Sequence, residues 1–410
     1  MKYLSCLLVL TVTAFPAEDW TEFRGPTGQG LSNAKNLPTK WDAKENLNIT
    51  WRQTIPGKGW SSPIVYDGKI YLTTAVPEGE KGDQSLRSLC LDAGSGATLW
   101  NVEVFKQGPK EIHQKNSHAS PSPITDGKFL YVHFGTNGTA CLNLDGEIIW
   151  TNRKLVYDPA HGNGGSPALA GRAVLISCDG DDKQFVVALD RKSGDPLWQT
   201  PRPPNSGRGF SFSTPLVIEV GGKSQVVSAG SDHVVSYDLE KGHELWRVNY
   251  PGGYSVVPRP VFGQGLVYVC SGYGSQTIFA IRPDGSGDVT KTHVEWTEKR
   301  GVPLNPSPLV VGDELYMVSD NGIASCLDAK TGTQHWQKRL DGNFSSSPLF
   351  ADAKIYFTNE DGETIVLPAG KTAGESLGRC PLGERAQASL AVSAGAIFAR
   401  GEKTLYRIGG

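Results

Sequence analysis

The 410-residue sequence predicts an all-β fold, an eight-bladed β-propeller of four-stranded antiparallel blades, on three observations. A phrase of Asp, three residues, Gly, three residues and Trp occurs at Asp92-Gly96-Trp100, Asp190-Gly194-Trp198, Asp238-Gly242-Trp246 and Asp328-Gly332-Trp336. Between these phrases recurs a step of one small residue and Pro that opens an alternating strand. The Trp series 51, 100, 150, 198, 246, 296 and 336 then steps by 49, 50, 48, 48, 50 and 40 residues. Four short strands with their turns take that length. A catalytic motif is needed once, whereas a phrase repeated this often is a structural unit.

The units follow in order. The first opens at "GWSSPIVYDGKIYLTT" from Gly59 and closes on "CLDAGSGATLW". The second, "SPSPITDGKFLYVHF" from Ser120, closes on the shortened phrase "NLDGEIIW", which keeps Asn143, Gly146 and Trp150. Ser166-Pro167, Thr214-Pro215 and Arg259-Pro260 open the next three, and the fifth closes on the lengthened "RPDGSGDVTKTHVEW" at Trp296. Ser307-Pro308 and Ser347-Pro348 open two more, and "ASLAVSAGAIFAR" from Ala388 is a faded eighth. Each step precedes a strand, a D-G, G-G or G-D turn and a second strand. The final strand, "KTLYRIGG", has no fourth strand after it, while "LNITWRQTI" carries Trp51 with no first three before it. Joined, they complete one blade and cover edges that would invite aggregation. Seven blades is the alternative, because the copies after Trp336 are the faintest.

The repeated phrase has a physical purpose. Asp at a strand end accepts bonds from turn amides, and Gly takes a backbone conformation that other residues resist. Trp on the next strand carries an apolar face that a thin sheet cannot bury within itself. Packing it on the neighbouring blade buries roughly 150–250 Å² per ring. Asp92, Gly96, Asp190, Gly194, Asp238, Gly242, Asp328 and Gly332 are therefore read as docking residues. Trp51, Trp100, Trp150, Trp198, Trp246, Trp296 and Trp336 are their partners.

Composition agrees with many tight turns: 49 glycines and 26 prolines. Net charge is −2 with no long basic run, which argues against nucleic acid or an anionic membrane as partner. Residues 1–17 read as an export signal, with Lys2 ahead of "YLSCLLVLTVTAF" and cleavage after Ala17 or Ala14. An uncleaved anchor is the alternative, although the stretch is short for a spanning helix. Cys6 lies at the start of the apolar stretch rather than after it, which speaks against a lipid-anchored start. Residues 18–46 form an N-terminal extension and 47–410 a single propeller, expected as a monomer in the periplasm or outside the cell, with no membrane span after signal removal. Of seven cysteines, Cys90, Cys141 and Cys326 occupy one repeat position and Cys178 and Cys270 another. Equivalent positions suit small buried thiols better than a disulfide framework.

The copies above match the A-x-D-x-x-x-G-x-x-x-W pattern in its Asp, Gly and Trp, and the chain from about residue 47 resembles the pyrroloquinoline-quinone (PQQ)-like repeat propellers. The resemblance implies the eight-bladed fold of the quinoprotein alcohol dehydrogenases. It extends to the propeller lipoprotein of outer-membrane β-barrel assembly, and "DWTEFRGPTGQGLS", from Asp19 to Ser32, resembles the start of secreted propellers of environmental bacteria such as planctomycetes. The dehydrogenases hold PQQ over calcium in a central funnel, typically with an adjacent Cys-Cys disulfide, an aromatic floor and a catalytic Asp. This sequence has no adjacent cysteines and little length for their insertions, although some sugar-oxidising relatives lack the disulfide. Fold does not carry function with it.

The residues themselves favour binding over catalysis. "CDGDDKQ" places Asp179, Asp181 and Asp182 in a strand-to-strand turn without the ligand count of a calcium loop. The eight histidines show no zinc spacing, and no nucleophile elbow is present. No metal site is expected. Just before the Pro steps the repeats diverge, and Trp60, His118, His161, Arg208, Phe212, Arg259 and Asn305 are the candidates for a ligand-binding funnel. Arg259 replaces the small hydroxyl residue of the other copies, and its guanidinium suits a carboxylate, a sulfate or a sugar acid. The bland alternative is that it pairs with a nearby acid. The polar stretches Ala75 to Ser88 and Asn101 to Ser120 are read as long loops at the rim. The expectation is a non-catalytic scaffold for a protein or carbohydrate ligand, with no cofactor. A PQQ- and calcium-dependent oxidoreductase is the alternative, and a hydrolase or lyase built on the funnel histidines comes third.

Overall fold

The computed structural model describes residues 19–205 and 207–410. The expected signal at 1–17 lies outside the described residues. Eight antiparallel four-stranded sheets form the ring, and the described residues contain a single turn of 3₁₀-helix and no other helix. Blades 1 to 7 open with the strands Ile64–Tyr66, Ile124–Thr125, Ala168–Ala170, Leu216–Val220, Val261–Gly263, Leu309–Val311 and Leu349–Ala351. Blade 8 joins Ala391–Ser393, Ala396–Arg400 and Thr404–Ile408 from the C-terminal end to Ile49–Thr54 from the N-terminal part. The composite blade is thus present, and the count is eight.

The docking phrase works between blades. Trp51, Trp100, Trp150, Trp198 and Trp296 each come from the outer strand of one blade and lie over the turn glycine of the next, at Gly96, Gly146, Gly194, Gly242 and Gly332. A Cβ added to Gly194 would stand 2.4 Å from the ring of Trp150, and one on Gly242 2.4 Å from the ring of Trp198. The indole N–H of Trp51, Trp100, Trp150, Trp198, Trp296 and Trp336 donates to a backbone carbonyl across that interface, at 2.8–3.1 Å. Trp246 departs from this pattern. Its N–H donates to Gln225 of its own blade at 2.9 Å, because the lengthened turn of blade 5 instead lays Gly287–Asp288 as an extra strand along its edge. Seven apolar clusters fill the spaces around the ring, and the six described cysteines are free and buried.

Blade 1 corrects one expectation. Most of the stretch from Ala75 to Ser88 is not a loop, since Lys69–Glu78 and Asp83–Asp92 form a hairpin of ten residues per strand. Ala75 and Leu86 are buried, so the alternating pattern continues and only the charged tip is loop-like. Asn101–Gln107 continues that blade's fourth strand.

Residues 19–32 cross the central channel at the end where the first strands finish. Trp20 bridges to Val65 of blade 1, and the Thr21 carbonyl accepts from Thr125 of blade 2. The Gln29 side chain accepts from the Phe262 amide of blade 5, and Leu31–Ser32 pairs parallel with Phe350 and Ala351 of blade 7. The segment thus makes the channel a blind funnel. Trp41 then packs on Tyr356 at 6.5 Å between ring centres, tying the extension beneath blade 7.

Candidate functional site

The floor of the funnel follows from the Pro step. Proline offers no N–H and holds the residue before it extended. That residue's own N–H is donated to the hydroxyl at the same step of a neighbouring blade. Ser62 donates to Ser122 at 2.8 Å, Ser122 to Ser166 at 2.9 Å and Ser166 to Thr214 at 2.9 Å. Arg259 donates to Ser307, Ser307 to Ser347 and Ser347 to Ser389, each at 3.0 Å, and Ser389 closes onto Ser62 at 2.9 Å. Seven such bonds circle the axis. The belt is interrupted only where Arg259 has no hydroxyl to offer Thr214.

Arg259 does not reach the open funnel. Its side chain is 3% exposed and turns to the plug, where it donates to Glu22 at 2.8 Å and to the Phe23 carbonyl at 2.9 Å. Its Nε also donates to the Pro215 carbonyl at 3.1 Å. The bland alternative for this residue is the observed one. Burial raises the Glu22 carboxyl above its usual range, against the pull of Arg259. Arg24 lies beside them and donates to the Pro308 carbonyl at 2.7 Å. Burial, then repulsion from Arg259, lowers its guanidinium to about 9.

Above this floor the funnel encloses about 690 Å³, with Phe23 of the plug at its base. The connections that lead into the eight blades all contribute to the wall. Its aromatic part comprises Trp60, His161, Phe210, Phe212, Tyr254 and Tyr273. His161 and Phe210 meet edge to face at 4.9 Å, and Arg208 lies 4.6 Å over the Tyr254 ring. Its polar part includes Lys115, Asn116, Asn305, Ser345 and Gln387. Lys115 pairs with Glu360 at 2.8 Å, and Ser345 donates to the same carboxylate at 2.6 Å. Burial opposes both charges of that pair, yet their mutual bond wins: Lys115 is raised and Glu360 lowered. Burial, then the neighbouring His113, lowers His161, which keeps it neutral near pH 7.

Five of the seven residues chosen from sequence line this cavity: Trp60, His161, Arg208, Phe212 and Asn305. Arg259 lies beneath it. His118 faces a separate cleft with Lys58 and Ile112, where its Nδ1 meets the Gln107 amide at 2.9 Å. The connection into blade 2 is long, so His113, Lys115 and Asn116 reach the funnel in its place. Phe23, Phe210 and Tyr254 were not singled out from sequence. "PGGYSV" around Tyr254 carries the same signal of divergence before a Pro step.

The acids are committed elsewhere. Asp179 grips Arg202 through two bonds of 2.6 and 2.8 Å in a fully buried pair between blades 3 and 4. Burial pulls the Arg202 guanidinium down, and the Asp179 charge more than restores it. Asp320 accepts from the Leu304 and Asn305 amides at 2.8 and 3.0 Å and from the Asn305 side chain. Among the described residues no group of three or more His, Cys, Asp or Glu is placed to hold a metal ion. Among the described residues only Asp181 brings a carboxylate to the funnel lining. That donor set does not fit a calcium-held quinone.

Comparison with known proteins agrees with this architecture. A family model described as outer membrane protein assembly factor BamB matches residues 82–323 and 290–406. The chain belongs to this family. It is 23% identical over 296 residues to the dehydrogenase subunit of a quinone-type alcohol dehydrogenase from Gluconobacter oxydans, covering 66% of this chain and 34% of that one. It is 23% identical over 222 residues to BamB of Yersinia pestis, covering 49% of this chain and 53% of that protein. The chain thus spans about a third to a half of the length of these relatives. In three dimensions it is similar to BamB from Moraxella catarrhalis, with a TM-score of 0.63 and 12% identity over 88% of this chain and 97% of that one. It is also similar to a quinohemoprotein alcohol dehydrogenase from Pseudomonas putida HK5, with a TM-score of 0.67 and 12% identity over 96% and 80% of the chains. At such identity these two show the fold. No helix among the described residues is long and apolar enough to cross a membrane.

Proposed function

We propose that the protein is an exported, monomeric, non-catalytic propeller that binds carbohydrate in its funnel. The observation that carries this reading is the mixed lining of the funnel. Phe210, Phe212 and Tyr254 share it with the amide, hydroxyl and ammonium groups of Asn116, Gln387, Ser345 and Lys115. A sugar ring has the same two characters, an apolar C–H face and a rim of hydroxyls. Aromatic surface takes the first, and preset polar groups take the second. Among the described residues Asp179 and Glu360 are held in ion pairs and Asp320 by amides, which leaves Asp181 as the carboxylate of the lining where glycoside hydrolysis uses two.

A panel of neutral and acidic oligosaccharides tests the reading. The full chain without its signal should bind members of the panel at micromolar protein and return them unaltered. Phe212→Ala and Tyr254→Ala should weaken binding by at least about tenfold, as expected for loss of an aromatic platform. An empty panel, or a consumed sugar, would overturn it. Export predicts that the mature protein begins near Glu18, which N-terminal sequencing reads directly.

A protein partner is the second reading. Leu99 of blade 1 and Ile148 and Ile149 of blade 2 are exposed apolar residues on neighbouring outer strands, and the BamB relatives are described by a role in outer membrane protein assembly. Charged substitutions at Leu99 and Ile149 should abolish co-purification of a partner if that surface is used. Unchanged recovery would remove it.

A further inference from the structure

The hydroxyl belt leaves something over. Each belt oxygen spends a lone pair on a neighbour's N–H, so its own proton has to find an acceptor elsewhere. Ser347 gives its proton to Ser307 at 3.1 Å. Among the described residues, no acceptor receives the protons of Ser62, Ser122, Ser166, Thr214, Ser307 or Ser389, and all six residues line the funnel. The base of the funnel is therefore a ring of O–H donors.

The charges behind that ring are mostly positive. Arg24 and Arg259 bond carbonyls of the Pro steps at Pro308 and Pro215. Arg400, 3% exposed, donates to the Ser61 hydroxyl at 2.5 Å and to the Ser61 and Thr73 carbonyls at 3.1 and 2.9 Å. Among the described residues these three guanidiniums have one carboxylate, Glu22 on Arg259. Arg24 Nε and Nη1 and Arg400 Nε are buried with no hydrogen-bond partner at all. Burial alone lowers Arg400 to about 9, with no acid nearby to offset it. Buried charge without a counter-charge is costly, and it sets a positive potential in the nearest open space.

Building on the funnel as a carbohydrate site, we propose that its ligand is an acidic carbohydrate whose carboxylate is seated on the hydroxyl ring at the base. The ring supplies O–H donors to the carboxylate oxygens, the buried guanidiniums supply the field, and Phe212 and Tyr254 hold the sugar face above. Neutral sugars lose the field and the charge assistance to the hydroxyl bonds, and keep the aromatic contact.

The test is a calorimetric titration of the full chain without its signal, using trigalacturonate and its fully methyl-esterified form. The two share ring, linkage and length and differ in charge. The acid should bind at least about tenfold more tightly, a gap that one or two charge-assisted hydrogen bonds provide. Phe212→Ala should weaken both. Ser122→Ala combined with Ser166→Ala should reduce the gap to less than about threefold, through the loss of two donors whose bonds to the acid are charge-assisted. Should that variant not fold, the wild-type ratio decides. Equal binding of acid and ester, or tighter binding of the ester, overturns the seat for the carboxylate and leaves the funnel reading standing. Binding of neither overturns both. Acid binding that is indifferent to Phe212→Ala places the site elsewhere and also overturns the proposal.

Discussion

Gly194→Ala is the sharpest test of the docking device, because two separable costs meet at that position. The backbone there has φ +75°, a left-handed conformation that costs an Ala about 1–2 kcal/mol. The new Cβ would also stand 2.4–2.8 Å from three ring atoms of Trp150, and forcing a packed ring aside costs about 1–3 kcal/mol more. The expected loss is about 2–5 kcal/mol. Gly68 supplies the control, with φ +68° and nothing within 4 Å of an added Cβ, so Gly68→Ala should cost the backbone part alone. Trp150→Ala should cost about 3–5 kcal/mol by itself. In the double variant the obstructing ring is gone. The two losses should then fall short of adding by about 1–3 kcal/mol. Urea unfolding followed by near-UV circular dichroism measures the four variants against the wild type. Additivity within about 0.5 kcal/mol, or equal effects at Gly68 and Gly194, would refute contact across the blades as the reason for the repeated glycine.

Acid should weaken the fold through two buried histidines. Burial lowers His133 to about 3 and His233 to about 4, both below the ordinary value of 6.5. Their contribution is complete above about pH 6.5 and is lost as pH falls toward the folded values, since the unfolded chain takes up protons first. At pH 5 the loss is about 2 kcal/mol for each, and His133→Asn should lower the stability difference between pH 7.5 and 5 by that amount. An unchanged difference would mean that His133 is charged in the fold. Glu22→Gln removes the carboxylate beside Arg259 and Arg24 and should cost about 3–5 kcal/mol, read as a lower melting temperature; a melt within a degree of wild type would show the plug to be electrostatically indifferent. Titration with pyrroloquinoline quinone, with and without calcium, should give no saturable change in absorbance or Trp fluorescence. Saturable binding would restore the oxidoreductase alternative.

What the sequence revealed and what it hid follow from the reach of each interaction. Blade docking is a fixed-distance event: Asp, Gly and Trp sit four residues apart, and the partner is the same phrase one blade away, so repetition exposes it. The funnel wall is legible only by negation. Trp60, His161, Arg208, Phe212 and Asn305 stand out because the copies differ there, which finds the place without naming the chemistry. The loop expected from Ala75 to Ser88 shows the opposite failure. Charged residues at the hairpin tip hid an alternation in which Ala75 and Leu86 stay buried, and a lengthened strand was read as an insertion.

Arg259 shows why the remaining part was hidden. Its oddity is visible in one line of sequence, but its partner, Glu22, lies 237 positions away in a segment that belongs to no repeat. Repetition cannot point to a residue that occurs once. The same segment brings Phe23 to the base of the funnel and Arg24 to the level of the Pro steps, so the plug and the anomalous step make one device. A serine at position 259 would complete the hydroxyl belt and leave Glu22 buried without its guanidinium. An arginine there breaks the belt once and anchors the segment that closes the channel. The interruption of the repeat is thus explained by what it holds, and what it holds turns an open channel into a pocket with a floor.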